Sequence, residues 1–81
     1  MKEESRIIQV HDIDIGQNLK KLRQSRNMKQ SEVLIKLQLL GVEIELYSYS
    51  KIENGKQNPT VRLLAALTEI FDCDYNAFFR K

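Results

Sequence analysis

The chain has few residues that could cross-link a small protein, and it has no long apolar run. Cys73 is the single cysteine among 81 residues, so no disulfide can form within the chain. This usage is typical of a reducing compartment, and we expect a cytoplasmic protein. No segment is long and apolar enough to span a membrane, and the polar start at Lys2, Glu3 and Glu4 is not typical of a signal peptide. The length predicts one small domain with a modest core.

The sequence also lacks the residue groupings on which enzymes and metal sites depend. It contains no nucleophile–base set, no paired carboxylate site, no phosphate-cradling glycine loop and no metal-ligand cluster. His11 has no evident partner, so we expect it to face solvent. Cys73 is interpreted as a buried thiol, since no second cysteine or nearby histidine accompanies it. These absences predict a binding protein rather than an enzyme, without cofactor, metal or small-molecule ligand.

The charge is nearly balanced overall but uneven along the chain. The formal net charge is only +2. Residues 18–31 nevertheless contain five basic side chains and no acidic one: Lys20, Lys21, Arg23, Arg26 and Lys29. A stripe of one sign can attract a polyanion, and it can equally be a solvated helix face.

Apolar periodicity and capping residues predict a string of short helices. Asp14, with Gln17 three residues on, resembles a capping box before a helix that ends near residue 26 or 27. A second helix is predicted from about Gln30, with Gly41 as its C-cap. The chain should therefore fold as an all-α, compact bundle of about five short helices.

The second half of the chain supplies the other three predicted helices. A short link over residues 42–44 leads to a third helix at about residues 45–54, which Gly55 ends. Pro59 marks a turn, because it has no N–H to donate and disfavours helix at the residue before it, and the N-cap that follows is Thr60. A fourth helix is predicted over residues 61–71 and a final turn over residues 75–79.

Three segments together carry a resemblance to a known family. Residues 50–56 read Ser-Lys-Ile-Glu-Asn-Gly-Lys, residues 22–30 read Leu-Arg-Gln-Ser-Arg-Asn-Met-Lys-Gln, and residues 58–60 read Asn-Pro-Thr. At these spacings they resemble the Cro- and phage-repressor-like helix-turn-helix family, also called the xenobiotic-response-element family. The resemblance extends from about residue 15 to residue 79. It implies a lambda-repressor-like domain that binds double-stranded DNA, commonly as a homodimer.

The resemblance also implies roles for individual residues. The third helix, at about residues 45–54, would lie in the major groove. The residues implied to position it on the DNA backbone are Lys29, Gln30, Asn54 and Lys56, with help from the backbone amides of Asn54 and Gly55. Those implied to face bases are Leu46, Tyr47, Ser48 and Lys51. Arg23 and Glu53 match a partly buried ion pair that fixes the angle of the third helix.

Two features depart from the common form of the family. The stretch from Gln30 to Gly55 is five residues longer, which resembles a variant with a longer second helix, and Leu34 stands where alanine is usual. The start of the third helix is acidic and apolar, with Glu43, Glu45 and Leu46. We expect a repressor-like transcriptional regulator that binds duplex DNA sequence-specifically. The alternative is a protein-interaction module of the same fold, antitoxin-like or anti-repressor-like.

The resemblance divides the chain into two parts. Residues 15–81 are expected to form the helix-turn-helix domain, and residues 1–14 an N-terminal extension. Apolar Ile7, Ile8 and Val10 allow three readings of that extension: a dimer-forming strand, an arm that reaches DNA, or a disordered tail.

Overall fold

The computed structural model describes residues 12–81, whose regular elements are helical. The elements in chain order are α1 (Ile15–Ser25), α2 (Gln30–Leu39), α3 (Leu46–Glu53), α4 (Val61–Phe71) and a final 3-10 helix (Tyr75–Phe79). The prediction of an all-α fold with about five short helices is confirmed. The expectation for His11 and the three readings of Ile7, Ile8 and Val10 in the N-terminal extension lie outside the described residues.

The core lies where all five helices bring apolar side chains together. α1 packs against α3 and the final 3-10 helix, while α2 packs against α3 and α4. The three largest fully buried side chains are Tyr49, Phe71 and Phe78. The other fully buried side chains are Ile15, Leu19, Val33, Leu37, Ile52, Leu64 and Leu67. Burial of one such aliphatic side chain contributes roughly 1.5–3 kcal/mol, so packing rather than intrinsic propensity holds these short helices.

Side-chain caps set where two of the helices begin. Asp14 Oδ1 accepts a hydrogen bond from the Gln17 backbone N–H at 3.0 Å and caps α1. Thr60 Oγ1 accepts from the Leu63 backbone N–H at 3.0 Å and caps α4, directly after the buried Pro59. Each oxygen satisfies an amide that has no partner within its own helix. Both starts agree with the sequence-based expectation.

Left-handed residues end all four α-helices. Gly41 (φ +82°) and Gly55 (φ +78°) follow α2 and α3, as their glycine-cap patterns predicted. Asn27 (φ +58°) and Asp72 (φ +53°) do the same after α1 and α4. In each case the backbone amide of the left-handed residue donates a hydrogen bond to the carbonyl three residues earlier. For Gly41 the acceptor is the Gln38 carbonyl, at 3.0 Å. The chain therefore turns sharply at each helix end with its carbonyls satisfied.

The connection between α2 and α3 is longer than the sequence suggested. We predicted a link over residues 42–44, but six residues, 40–45, separate the two helices. The predicted third helix at residues 45–54 is also too long, since Glu45 and Asn54 are its caps. Arg62 Nη2 donates to the Gly41 carbonyl at 3.1 Å and ties this connection to α4.

Two long-range side-chain contacts join α1 to the C-terminal part of the chain. Asn18 Nδ2 donates to the carbonyls of Phe78 and Arg80, each at 2.8 Å. Arg26 Nε donates to the Phe71 carbonyl, also at 2.8 Å. The two contacts satisfy carbonyls at the ends of α4 and of the final 3-10 helix. They hold the last elements of the chain against α1.

Gly16 is where α1 comes closest to α3. A Cβ atom at this position would overlap the Ile52 carbonyl oxygen and would lie 2.6 Å from that of Glu53. Both obstacles are backbone atoms, so no flexible side chain can move aside. The absence of a side chain at Gly16 therefore sets the spacing of the two helices, a role that no local sequence pattern indicates.

Gly16→Ala is expected to lower the free energy of unfolding by about 1–3 kcal/mol, because the two helices must separate to admit the methyl group. Urea denaturation measures the change. Gln17→Ala, at the neighbouring exposed position, is the matched control and should stay within about 0.5 kcal/mol of the parent. Stability of Gly16→Ala equal to that of the parent would contradict the close approach.

Candidate nucleic-acid interface

A buried carboxylate holds the C-terminal end of α3. Glu53 is the one charged residue among the described residues that is fully buried, with a side chain 1% exposed. Arg23 donates to it twice, from Nε at 2.8 Å and from Nη2 at 3.0 Å. Gln30 Nε2 donates to the same carboxylate at 2.9 Å, and Arg23 Nη1 donates to the Met28 carbonyl at 2.9 Å. The end of α3 is thus fixed to α1, to the α1–α2 turn and to the start of α2.

These contacts keep Glu53 ionised inside the protein. Burial alone would raise the pKa of the carboxyl, but the hydrogen bonds from Arg23 and Gln30 outweigh burial and lower it. The pKa of Arg23 is raised in turn, chiefly by its hydrogen bond to Glu53. The pKa of the neighbouring Tyr49 hydroxyl is raised by burial and by the negative charge of Glu53. The network therefore carries one positive and one negative charge in balance.

The opposite face of α3 is open to solvent. Tyr47 is 73% exposed and Leu46 is 49% exposed, whereas Tyr49 is fully buried. Lys51 follows Tyr47 by one helical turn, and its ammonium lies 5.2 Å from the centroid of the Tyr47 ring. Of the side chains implied to face bases, Leu46 and Tyr47 are exposed, and Lys51 is half-buried beside Tyr47. Ser48 lies at the side of the helix instead.

Ser48 belongs to a recess between α3, the α2–α3 connection and α4. The recess has a volume of about 340 Å³, and its other polar lining includes Glu43, Glu45 and Arg62. Because both acidic and basic groups line the recess, it does not offer a surface of one sign to a phosphate. Ser48 lies at the edge of the Tyr47–Lys51 face, three residues before Lys51 on the helix.

The residues that follow α3 are arranged differently from the expectation. The backbone amides of Asn54 and Gly55 were implied to meet phosphates, but they donate to the carbonyls of Ser50 and Ile52, at 3.0 and 3.1 Å. The amide of Lys56 donates to the Lys51 carbonyl at 2.8 Å in the same turn. These three backbone amides are therefore already hydrogen-bonded within the end of the helix. What remains exposed for a ligand is the side chains of Asn54 and Lys56.

The start of α2 lies beside the end of α3. Gln30 reaches Glu53, which brings the exposed Lys29 to the same end of the two helices. The Lys29 backbone amide donates to Glu32 Oε1 at 2.7 Å, so its ammonium is the group available to a partner. Two basic side chains, Lys29 and Lys56, therefore flank this end on separate segments.

The basic segment 18–31 does not form the uniform stripe that its sequence suggested. Arg23 is consumed by Glu53, and Arg26 donates to the Phe71 carbonyl and to Ser25 Oγ. Lys21 lines a recess together with Cys73 on the side of α1 that faces the C-terminal elements. The two arginines are structural, because guanidinium groups can bridge several acceptors at once.

Other classes of site receive no support within residues 12–81. No group of three or more His, Cys, Asp or Glu side chains could hold a metal ion there. No helix in this part of the chain is long and apolar enough to cross a bilayer. Cys73 is only half-buried, which corrects the expectation of a buried thiol, and burial raises its pKa. A raised pKa leaves less of the nucleophilic thiolate at neutral pH.

Comparison with models of known protein families finds a match to part of the chain. A sequence model described as helix-turn-helix matches residues 48–78, from the middle of α3 to the final 3-10 helix. The match confirms the resemblance to the Cro- and phage-repressor-like helix-turn-helix family. It does not extend over α2 or the α2–α3 connection. No curated protein and no solved structure matches the chain.

Arg23→Ala is expected to lower the free energy of unfolding by about 3 kcal/mol or more, because it leaves the Glu53 carboxylate buried without its charge partner. A double-mutant cycle with Glu53→Ala, measured by urea denaturation, isolates the coupling. The exposed pair Lys21 and Glu69, each changed to alanine, is the matched control and should show no coupling. A cycle for Arg23 and Glu53 that also gives zero would contradict the ion pair's role.

The same coupling should depend on pH in one direction. Because the pKa of Glu53 is lower in the folded protein than in the unfolded chain, its stabilising effect is complete above the unfolded-state pKa. It is lost as the pH falls through the folded-state pKa. Repeating the cycle at decreasing pH should show the coupling vanish on the acid side. A coupling that grows on acidification would contradict the lowered pKa.

Proposed function

Because residues 48–78 match the helix-turn-helix family, we propose that this chain binds duplex DNA sequence-specifically, with α3 in the major groove. The observation that supports this most is the contrast between the two faces of α3. One face is fixed by the buried Glu53, while the other exposes Tyr47 and carries the half-buried Lys51. A helix that is held rigidly and exposes one face is suited to groove recognition, since readout needs a defined orientation.

Lys51 is the principal polar base reader in this proposal. Its ammonium donates hydrogen bonds only, and guanine O6 and N7 are major-groove acceptors. Tyr47 and Leu46 offer apolar contact to a neighbouring thymine methyl. Ser48, at the side of the helix, contributes at the edge of the same half-site. The half-site therefore combines a G·C pair with adjacent A·T pairs.

The ends of α2 and α3 supply the backbone contacts. Lys29 and Lys56 approach phosphates as mobile point charges, and Asn54 donates from its side-chain amide. Gln30 has two amide protons on Nε2, and its bond to Glu53 uses one of them. That bond fixes the orientation of the amide group, and the second proton is proposed to form a hydrogen bond to a phosphate. Glu53 thereby orients a contact that it does not make itself.

The remaining parts of the proposal follow from this role. The domain covers residues 15–81, with residues 1–14 as an extension. The protein acts in the cytoplasm as a repressor-like transcriptional regulator, in the form of a homodimer on a two-fold operator. No enzymatic activity is proposed. No cofactor or small-molecule ligand is required by the contacts described above.

A second function is favoured by the acidic approach to α3. Glu43 and Glu45 are exposed in the connection just before the exposed Leu46. Carboxylates repel phosphates, and an exposed leucine suits a protein surface better than a polyanion. These residues fit a protein-interaction module of the same fold, antitoxin-like or anti-repressor-like. The two functions predict different effects of substitutions on α3: only the DNA-binding function predicts that they change the DNA sequence preference.

Selection of bound sequences from a random duplex pool tests the first function. Lys51→Ala should cost about 1–3 kcal/mol on the selected site and relax the preference at the guanine. Lys21→Ala, on the side of α1 that faces the C-terminal elements, is the matched control and should leave the motif unchanged. If Lys51→Ala selects the same motif as the parent at every position, the placement of α3 in the major groove is contradicted. No enrichment of any sequence would favour the interaction module.

The affinity for duplex DNA of any sequence tests the proposed contacts to the DNA backbone. Lys56→Ala should weaken binding to all duplexes by a similar factor and reduce the slope of log affinity against log salt by about one, because one fewer counterion is released. Lys21→Ala again serves as the control and should keep the parental slope. Fluorescence anisotropy over a salt series measures both quantities. Equal slopes for Lys56→Ala and the parent would contradict the phosphate contact.

A further inference from the structure

We propose that α2 and α4 carry a self-complementary surface through which two copies of this chain associate. This surface, the α2–α4 patch, consists of Ile35, Leu39, Leu40 and Ile70, with Lys36 and Glu69 beside them. It specifies where the proposed homodimer forms. Its support comes from packing and charge alone, so it stands or falls separately from DNA binding.

The apolar part of the patch is largely exposed to solvent. Leu39 is 81% exposed, Ile35 is 61% exposed and Leu40 is 43% exposed. Ile35 and Leu39 are four residues apart and share one face of α2. The face of α2 that packs on the core is a different one, carrying Val33 and Leu37. α2 is therefore apolar on two sides, which is typical of a helix that has a second packing partner.

The shape of the patch fits a copy of itself. A recess of about 280 Å³ opens beside Leu39, between α2 and α4, and its other lining residues are Lys36, Leu40, Glu69 and Ile70. The patch thus combines a protruding leucine with an apolar recess next to it. A two-fold rotation brings the protrusion of each copy to the recess of the other.

The charges of the patch point to the same partner. Lys36 and Glu69 line one recess, are both exposed, and form no ion pair with another described residue. A partner of one charge sign would match one of them and repel the other. A second copy presents both signs, so a two-fold axis sets Lys36 of one copy against Glu69 of the other. Such reciprocal pairing is what an isologous interface requires.

The size of the patch sets the expected strength of association. Four apolar side chains from each copy place the interface at the low end of specific interfaces, below about 1,200 Å² in total. We therefore expect a dissociation constant on the order of micromolar. Sedimentation equilibrium of the full chain without DNA, over a concentration series that spans this range, measures it. A monomer at every concentration would overturn the proposal.

Leu39→Lys tests the apolar contact. It should weaken dimerisation at least about tenfold, because it places a charge in the recess of the other copy. Since Leu39 is largely exposed in the single chain, helicity and unfolding should remain close to those of the parent. Tyr47→Lys is the matched control: it replaces another exposed apolar side chain, on α3, and should leave the dissociation constant unchanged. Equal weakening by both changes would overturn the proposal.

A charge exchange tests the pairing directly. Lys36→Glu and Glu69→Lys should each weaken dimerisation about threefold to tenfold, because each sets like charges together twice across the two-fold axis. The double variant Lys36→Glu/Glu69→Lys should restore association to within about twofold of the parent. Failure of the double variant to recover would show that the two side chains do not meet, and would overturn this arrangement.

Discussion

A buried carboxylate that must not lose its partners constrains much of this structure. Glu53 lies at the end of α3 and would be strongly unfavourable in the interior without compensation. Arg23 from α1 and Gln30 from α2 converge on it, so three helices are fixed by one group. The approach of α1 depends equally on Gly16, since a side chain there would meet the α3 backbone. The contacts of Glu53 fix the orientation of α3, and Gly16 fixes the distance between α1 and α3.

α3 depends on these contacts because it has only eight residues. A helix of that length is not stable alone in water, so its conformation comes from tertiary packing. Tyr49 and Ile52 anchor one face in the core, which leaves Tyr47 and Lys51 on the other. The orientation of the exposed side chains is therefore a consequence of what is buried beneath them. This separation makes a recognition role physically reasonable for so short a helix.

The end of α2 and the connection to α3 contribute more to the surface than to the core. α2 buries Val33 and Leu37, while Leu39 and Leu40 at its end are exposed. Arg62 holds the connection against α4 through the Gly41 carbonyl. These leucines form an apolar surface away from the Tyr47–Lys51 face. The proposed DNA-binding face and the proposed association face thus lie on different parts of one small domain.

The sequence by itself determined the helical class, the caps at Asp14 and Thr60 and the glycine stops at Gly41 and Gly55, because these are local effects within a few residues. The family resemblance added the pairing of Arg23 with Glu53. Only the tertiary structure decided that Arg26 donates to the Phe71 carbonyl at the end of α4 and that Gly16 packs against the α3 backbone. It also decided that the amides after α3 form hydrogen bonds within the helix end. Such outcomes depend on contacts between segments distant in the chain, which no local pattern encodes.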